Sequence, residues 1–213
     1  MDVHDNHSSL KHPLFQNKYR IESTRLKGYD YSSEGAYFIT ICTKNREHLF
    51  GEIVDGRLQE TEQSKICMDC WNDLPNHYDN CVLDAFIIMP NHVHIIIIIR
   101  NRDDDDGVRM RVETGLKPVS TMPHTNTMSH TNTMPHTNTN NAYPLSEIIR
   151  GFKTFTARKI NIYQNTPGKP FWQLRFHDHI IRNEKALNHI REYIGNNQIN
   201  WENDRNNRTG VYF

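Results

Sequence analysis

The sequence of 213 residues lacks the features of a membrane or secreted protein. It contains no run of about eighteen apolar residues, which excludes a membrane-spanning helix, and its longest apolar stretch is Ile95–Ile99. Residues 1–10 are polar and contain no signal-peptide core, so we expect a cytoplasmic protein. Net charge is also absent, because 25 lysines and arginines balance 25 aspartates and glutamates. Bulk electrostatics therefore give no sign of a nucleic-acid partner.

Cysteine is scarce, with four residues at positions 42, 67, 70 and 81. In a cytoplasmic protein the thiols should be reduced. Cys67 and Cys70 have the C-x-x-C spacing that permits a zinc or redox site, but a closed zinc site needs two more ligands. The candidates, Cys81 and His77, do not have the spacing of a standard zinc finger. Because Cys67 also lies in a predicted amphipathic helix, we favour cysteines that act as small buried residues.

The hydrophobic share of 36% is low, so part of the chain should lie outside a packed core. Residues 121–138 consist of the hexads TMPHTN, TMSHTN and TMPHTN within a polar stretch over 101–143. These hexads lack the aliphatic residues that would fill a β-helix, although their recurring histidines could chelate metal. We predict a disordered low-complexity insertion with no catalytic role.

The composition predicts one folded unit with three additions. The single domain should span 20–205, interrupted by the insertion over 101–143. A flexible N-terminal arm over 1–19 precedes it and a tail over 206–213 follows it.

Hydrophobic periodicity predicts an α+β chain. Strands are predicted at 36–43, 81–89, 92–100 and 171–181, a hairpin around 51–56, and helices at 60–77, 146–162 and 184–197. Ser146 and Asn183 are the predicted N-caps of the last two helices. This order indicates a ferredoxin-like split β-α-β core with a central antiparallel sheet, followed by a C-terminal helix.

Two histidines, His92 and His94, begin the most apolar predicted strand. Residues two apart in a strand face the same side, so both imidazoles can share one metal ion while Val93 faces the opposite layer. His177 and His179 have the same spacing, and spacing alone does not rank the two pairs. We favour the first pair because a rigid central strand is the easier place to build a metal site. The alternative for the second pair is surface histidines beside a basic face.

Tyr193 and Asn197 lie four residues apart on the last predicted helix and therefore share one of its faces. A phenol and an amide oxygen at these positions can approach the same metal ion. The pattern alone does not select Tyr193 over Tyr163 or Tyr212, because a tyrosine on the flank of a helix usually packs there with its hydroxyl in water.

Basic residues gather between positions 146 and 182, where only Glu147 and Asp178 oppose them. Segregated charge of this kind can form one positive face that meets phosphates, although a solvated helix face is the commoner explanation. Trp172 and Phe176 could stack on unpaired bases or pack in the core. The candidate DNA-binding residues are Arg25, Arg150, Lys153, Arg158, Lys159 and Arg175.

Four stretches of the sequence resemble the HUH single-tyrosine transposases, which include the insertion-sequence-200-like enzymes and the REP-associated tyrosine transposases. They are RIESTRLKGYDYSSEGAYFITICTKNREHLFGEI, FIIMPNHVHIIIII, LSEIIRGFKTFTARKIN and FWQLRFHDHIIRNEKALNHIREYIGNNQINW. The resemblance covers residues 18–205 apart from the hexads, and the motifs occur in the family's order. The sequence departs from the family at Gln198, where many relatives have proline.

The resemblance implies a site and a function. His92-Val93-His94 matches the family's histidine–hydrophobic–histidine motif, Tyr193 its nucleophile, and Asn197 the polar residue that completes its metal site. The implied enzyme is a transposase that cuts and rejoins single-stranded DNA through a 5′-phosphotyrosine, with Mg²⁺ or Mn²⁺. The resemblance also implies recognition of hairpin DNA and a homodimer in which the histidines of one subunit meet the tyrosine of the other.

Three other functions are compatible with the sequence. A protein that keeps the fold could bind hairpin DNA and cut it weakly or not at all. A metal-dependent nuclease could use water, and not Tyr193, as its nucleophile. A histidine-rich protein could bind metal through the hexads.

Overall fold

The computed structural model describes residues 25–100, 142–204 and 206–207. The predicted N-terminal arm, the hexads and most of the predicted tail lie outside these described residues. The domain boundaries therefore stay predictions.

A four-stranded antiparallel sheet forms the centre of the molecule. Its strands are β1 (Gly35–Cys42), β4 (Cys81–Met89), β5 (His92–Ile99) and β6 (His177–Ile181), in the spatial order β4-β5-β1-β6. β5 pairs along its whole length with β1 and also with β4, and β6 pairs with β1. This order and the helices between the strands give the ferredoxin-like arrangement that the sequence predicted.

A separate hairpin and four helices complete the described fold. The hairpin consists of β2 (Gly51–Val54) and β3 (Arg57–Glu60), and Asp55 and Gly56 turn it with positive φ angles of 51° and 71°. Two central turn residues with positive φ match the twist of an antiparallel pair. The helices are α1 (Glu62–Asn72), α2 (Leu74–His77), α3 (Leu145–Tyr163) and α4 (Glu184–Asn196).

The sheet carries helices on both faces, and the alternation along β5 decides which side chain meets which layer. The face towards α1 and α3 holds the main core, to which β5 contributes Val93, Ile95, Ile97 and Ile99. On the other face Ile96 packs with Ile181 and with Ile194 of α4. His92 and His94 share the side of Ile96, so the histidine pair faces the layer of α4.

Three predicted boundaries were wrong. The predicted helix over 60–77 divides at Asp73 into α1 and α2. Pro144, and not Ser146, occupies the N-cap of α3. The strand predicted from residue 171 begins at His177, because the consecutive Phe171 and Trp172 both turn into the core and so break the alternation of a strand.

The predicted cap of α4 and the predicted state of the cysteines are confirmed. Asn183 accepts a hydrogen bond from the backbone N–H of Ala186 at 2.9 Å. The four cysteines, all among the described residues, form no disulfide, and Cys67 and Cys70 are buried. Burial raises the pKa of the Cys67 thiol well above its ordinary value, which suits a packing residue and not a metal ligand. Among the helices of the described ranges, none combines the length and apolar character that crossing a bilayer requires.

Candidate functional site

The imidazoles of His92 and His94 converge beneath α4. They are 0% and 2% exposed, and their Nε2 atoms lie 3.1 Å apart. Two nitrogen ligands at about 2.1 Å from one ion and at right angles to each other are about 3.0 Å apart. The spacing therefore fits two ligands of one metal ion.

A second group of residues orients each ring. Asn91 Oδ1 lies 2.8 Å from Nδ1 of His92, and Thr40 Oγ1 lies 2.9 Å from Nδ1 of His94. When Nδ1 of each ring carries its proton, it can donate to these oxygens, and each Nε2 keeps its lone pair for a metal. Phe38 stacks on His94 with ring centroids 5.2 Å apart, and Trp201 lies 6.0 Å from His92. Hydrogen bonds and ring contacts thus hold both imidazole rings in a defined orientation.

Tyr193 of the same chain reaches this pair. Its hydroxyl lies 3.3 Å from Nε2 of His94, while its side chain remains 45% exposed. The ring meets His94 and Phe38 edge to face. The phenol therefore stands between the buried histidines and solvent, where a polymeric substrate can approach it. The histidine pair and Tyr193, which the resemblance assigned to different subunits, thus come together within one chain.

Asn197, the third ligand implied by the resemblance, is buried at the end of α4. It is 3% exposed, and its Oδ1 atom has no hydrogen-bond partner among the described residues. A buried carbonyl oxygen without a partner is costly, and a cation would satisfy it. Asn197 is the C-cap of α4 with helical angles, φ −65° and ψ −41°, so it stays one helical turn beyond Tyr193.

Gln198 occupies the position at which the resemblance leads us to expect a proline. Its Nε2 donates to the carbonyl of Ile88 at 3.0 Å, and its Oε1 accepts from the backbone N–H of Leu58 at 3.2 Å. These bonds tie the end of α4 to β4 and to the β2–β3 hairpin. The departure from the family pattern therefore leaves Asn197 well anchored.

Asp204 is a candidate metal ligand that the sequence did not indicate. Its Oδ2 lies 4.0 Å from Nε2 of His92, and its side chain is 5% exposed. Ligand atoms of His92, His94 and Asp204 all lie within 4.8 Å of one another. The backbone N–H of Asn206 donates to Asp204 Oδ1 at 2.6 Å, and Asn91 Nδ2 donates to the Asn206 carbonyl at 2.8 Å. The segment after α4 is thus fastened beside the histidines.

Only one of the two histidine pairs has this environment. His177 and His179 are exposed on β6, and neither belongs to a group of three potential metal ligands among the described residues. Asp178 between them faces inward, as expected from the alternation, and lies 3.8 Å from the Nε atom of Arg25. The structure thus favours His92 and His94, the pair preferred from the sequence.

The candidate DNA-binding residues do not form a uniform set. Arg158, Lys159 and Arg175 are exposed. Arg150 is exposed and forms an ion pair with Glu147 on the same helix. The guanidinium of Arg25 lies 4.9 Å from the ring centroid of Phe176 and 5.5 Å from that of Tyr31.

Lys153 has a different environment from its basic neighbours on α3. Its Nζ donates to the carbonyls of Gln173 at 2.7 Å and Leu174 at 3.0 Å. Burial lowers the pKa of this ammonium group. Lys153 therefore braces the segment before β6, and its charge points towards protein carbonyls.

The two aromatic residues proposed to stack on bases also differ. Trp172 is 7% exposed and packs with Phe50, Phe152 and Phe171. It is therefore a core residue, the second of the alternatives drawn from the sequence. Phe176 is half-buried, and its ring supports Arg25.

Comparison with known proteins establishes the family. The chain is 36% identical over 187 residues to an uncharacterized protein of Haemophilus influenzae, and the alignment covers 86% of this chain and 91% of the relative. The chain belongs to the same family as this Haemophilus protein. No protein-family model matches the sequence.

A solved structure identifies the fold. A REP-associated tyrosine transposase bound to a REP hairpin matches with a TM-score of 0.50 at 18% identity, covering 83% of this chain and 73% of that chain. The chain therefore has the fold of a REP-associated tyrosine transposase. The resemblance drawn from the sequence motifs is confirmed at the level of the fold.

Proposed function

We propose that the protein is a metal-dependent transposase that cuts and rejoins single-stranded DNA through Tyr193. The observation that carries the proposal is the 3.3 Å approach of the Tyr193 hydroxyl to Nε2 of His94, in a site where His92 and His94 already have the spacing of shared ligands. A water-dependent nuclease would not need a half-exposed phenol at this point.

The proposed reaction transfers a phosphoryl group of the DNA to Tyr193. The Oη of Tyr193 attacks the phosphorus of a phosphodiester, a bond from Oη to phosphorus forms, and the bond from phosphorus to the 3′ oxygen breaks. The products are a 5′-phosphotyrosine and a strand with a free 3′-hydroxyl, whose later attack reverses the exchange without ATP. A tyrosine phenol is mostly protonated near neutral pH, so Tyr193 must lose its proton to solvent, which its exposed position allows, while the leaving 3′ oxygen takes up a proton from solvent.

The residues present fit a divalent cation. His92, His94, Asp204 and the unpaired Oδ1 of Asn197 would hold it, and the mixed nitrogen and oxygen set suits Mn²⁺ or Mg²⁺. Such an ion supplies charge neutralisation at the phosphate and stabilises the leaving oxygen. The protein's own contribution is to fix both rings and to keep Tyr193 in line with them.

Single-stranded or hairpin DNA is the proposed substrate. The solved transposase of the same fold is bound to a REP hairpin, and the exposed Arg158, Lys159 and Arg175 supply cations for phosphates. Arg150 and Arg25 are further candidates. Contacts between such cations and phosphates hold a nucleic-acid backbone without reading its sequence.

The test is the capture of a covalent intermediate. A labelled oligonucleotide with a single strand beside a hairpin is incubated with the protein and Mn²⁺, and a denaturing gel resolves protein bound to DNA. We expect an adduct with the wild-type chain and none with Tyr193→Phe, because this change removes only the attacking oxygen. The matched control is Tyr163→Phe, which alters an exposed tyrosine at the end of α3.

The outcomes separate the alternatives. Cleavage without an adduct, retained in Tyr193→Phe, would indicate a nuclease that uses water. Hairpin binding without cleavage in the presence of either Mn²⁺ or Mg²⁺ would indicate a DNA-binding protein that keeps the fold. Metal uptake lost on removal of 121–138, with no effect of His92→Ala, would indicate a function of the hexads.

The resemblance implies a homodimer whose active site combines residues of two subunits, and this sharing of the site has its own test. Equal amounts of Tyr193→Phe and His94→Ala chains are mixed before the DNA is added. Because Tyr193 meets His94 within one chain, we expect no adduct from the mixture even if the protein dimerises. An adduct that appears only in the mixture would mean that the active site combines residues of two subunits.

A further inference from the structure

β4 contains a β-bulge, one residue more than the stretch of β5 with which it pairs, and this bulge contacts α4. Its pairing with β5 runs from Leu83 opposite Ile97 to Phe86 opposite Ile95, so three steps along β4 correspond to two along β5. Such a bulge re-aims the side chains at its position. Leu83 and Phe86 both remain with the main core, whereas Ala85 packs in the cluster beneath α4.

The bulge also presents a carboxylate to α4. Asp84 Oδ2 accepts from Nε of Arg191 at 2.9 Å, and Asp84 Oδ1 accepts from Nη2 at 2.7 Å. The Asp84 side chain is 8% exposed and that of Arg191 41%. Two parallel bonds between a carboxylate and a guanidinium fix an orientation as well as a distance. The ion pair raises the pKa of the Arg191 guanidinium further.

Arg191, one member of this ion pair, is close to Tyr193 in sequence, but its side chain extends from a different flank of α4. Arg191 is two residues before Tyr193 on α4, and its Nη1 donates to Asn188 Oδ1 at 3.0 Å on the same helix. Residues two apart on a helix do not face each other. Arg191 can therefore hold the helix from one flank while Tyr193 extends from another.

Between its capped start and the end that Gln198 ties to Ile88 and Leu58, α4 is held against the sheet mainly by apolar contacts. Ile194 is its only buried residue, and Leu187 and Ile190 are partly buried against the sheet. Apolar contacts are not directional, so this stripe alone permits small shifts of the middle of the helix between its capped start and its anchored end. A shift of about 1 Å at a reacting group can reduce a rate about a hundredfold.

We propose that Asp84 and Arg191 are positioning residues that lock α4 to the bulge of β4 and so align the Tyr193 phenol with the histidine pair of its own chain. The alignment of the nucleophile rests on the proposed function, whereas the locking of α4 does not. The extra residue in β4 serves this purpose, because it places Asp84 on the α4 side while Leu83 and Phe86 stay in the core.

The test uses the full chain with Arg191→Ala, Arg191→Lys, Asp84→Ala and the double variant Asp84→Ala/Arg191→Ala. Lys65→Ala is the control, because it breaks an exposed ion pair with Glu62 on α1, on the opposite face. Three quantities are measured: the rate of adduct formation at saturating DNA with Mn²⁺, the DNA dissociation constant, and the Mn²⁺ dissociation constant from electron paramagnetic resonance. Thermal unfolding checks that each variant is folded. If an alanine variant does not fold, Arg191→Lys provides a milder change at the same position.

We expect each alanine variant to form the adduct about ten to a hundred times more slowly, with DNA affinity unchanged within about twofold. The double variant should be no slower than the single variants, because the two residues act as one unit. Arg191→Lys should be intermediate, since lysine keeps the charge but loses the fork. Adduct rates equal to wild type, losses that multiply in the double variant, or losses that follow DNA affinity would each overturn the proposal.

Mn²⁺ affinity separates this proposal from the proposed function. Asn197 is the C-cap of α4, so release of the helix should weaken Mn²⁺ binding several-fold in both alanine variants and not in Lys65→Ala. If the wild-type chain forms no adduct but Mn²⁺ affinity falls as expected, the proposed function fails and the lock is supported. If neither quantity responds, the lock is wrong as well.

Discussion

Asp204 is the residue of the site whose contribution can be measured most directly. Asp204→Asn keeps the shape of the side chain but removes its charge, so we expect Mn²⁺ affinity to fall about tenfold or more. Isothermal titration calorimetry of the purified chain measures this change, with His92→Ala as the variant that should lose binding. Glu202→Gln, an exposed acid on the preceding turn, is the matched control.

An unchanged affinity in Asp204→Asn would give the carboxylate a different role. It would then serve only to accept the hydrogen bond from the backbone of Asn206 at 2.6 Å. The thermal midpoint distinguishes the two, because loss of a purely structural bond lowers stability with or without metal, whereas loss of a ligand matters chiefly when Mn²⁺ is present.

The placement of His92 and His94 on one side of their strand could be predicted from the sequence, and the approach of Asp204 to them could not. The period of two along a strand places His92 and His94 on one side wherever the strand lies. Asp204 comes to them through a non-local contact, because the chain after the 3-10 helix Trp201–Asn203 lies beside His92 at the start of β5. No periodicity describes such a return. Tyr193 falls between these cases, since its helix was predictable but its selection among the tyrosines depended on the family resemblance.

At the scale of elements, strong hydrophobic patterns gave the right boundaries. β4 spans Cys81–Met89 as predicted, and α4 begins after its predicted cap. The bulge in β4 was missed because CVLDAFIIM reads as one uninterrupted strand, and only its partner strand reveals the extra residue. The start of β6 was misplaced for a similar reason, since aromatic residues suit both a strand and a packed loop.

Lys153 links two elements, and its substitution tests whether it braces the protein or binds DNA. Lys153→Met removes the hydrogen bonds to the carbonyls of Gln173 and Leu174, so we expect a loss of about 1–2 kcal/mol in the free energy of unfolding by urea. The dependence of DNA affinity on salt should not change, because its ammonium group does not neutralise a phosphate. Arg158→Met should do the reverse: stability stays constant, and the slope of log affinity against log salt decreases by about 0.7. A reduced slope in Lys153→Met would contradict the bracing role.

At the scale of the whole molecule, one residue joins the two ends of the insertion. The backbone N–H of Arg100 donates to the Asn80 carbonyl at 3.0 Å, and Asn80 Nδ2 donates to the carbonyl of Tyr143 at 3.0 Å. The backbone N–H of Leu145 then donates to the carbonyl of Tyr31 at 2.9 Å, at the start of α3. These hydrogen bonds between described residues hold the chain on both sides of the insertion.

This closure predicts that residues 101–141 can be replaced by a short linker. About eight Gly and Ser residues reach up to about 26 Å, which is ample for two ends that meet across one asparagine. Relative to a Gly/Ser segment of the original length, the short linker should raise the unfolding free energy by about 1 kcal/mol, because a shorter loop loses less entropy on closure. Adduct formation should stay within about twofold of wild type in both variants, since Tyr193 and its histidines lie on the other face of the sheet from α3. If the short-linker chain folds but no longer forms the adduct, the insertion takes part in binding DNA. The Gly/Ser variant of the original length would then show whether this role depends on the sequence of the insertion or only on its length.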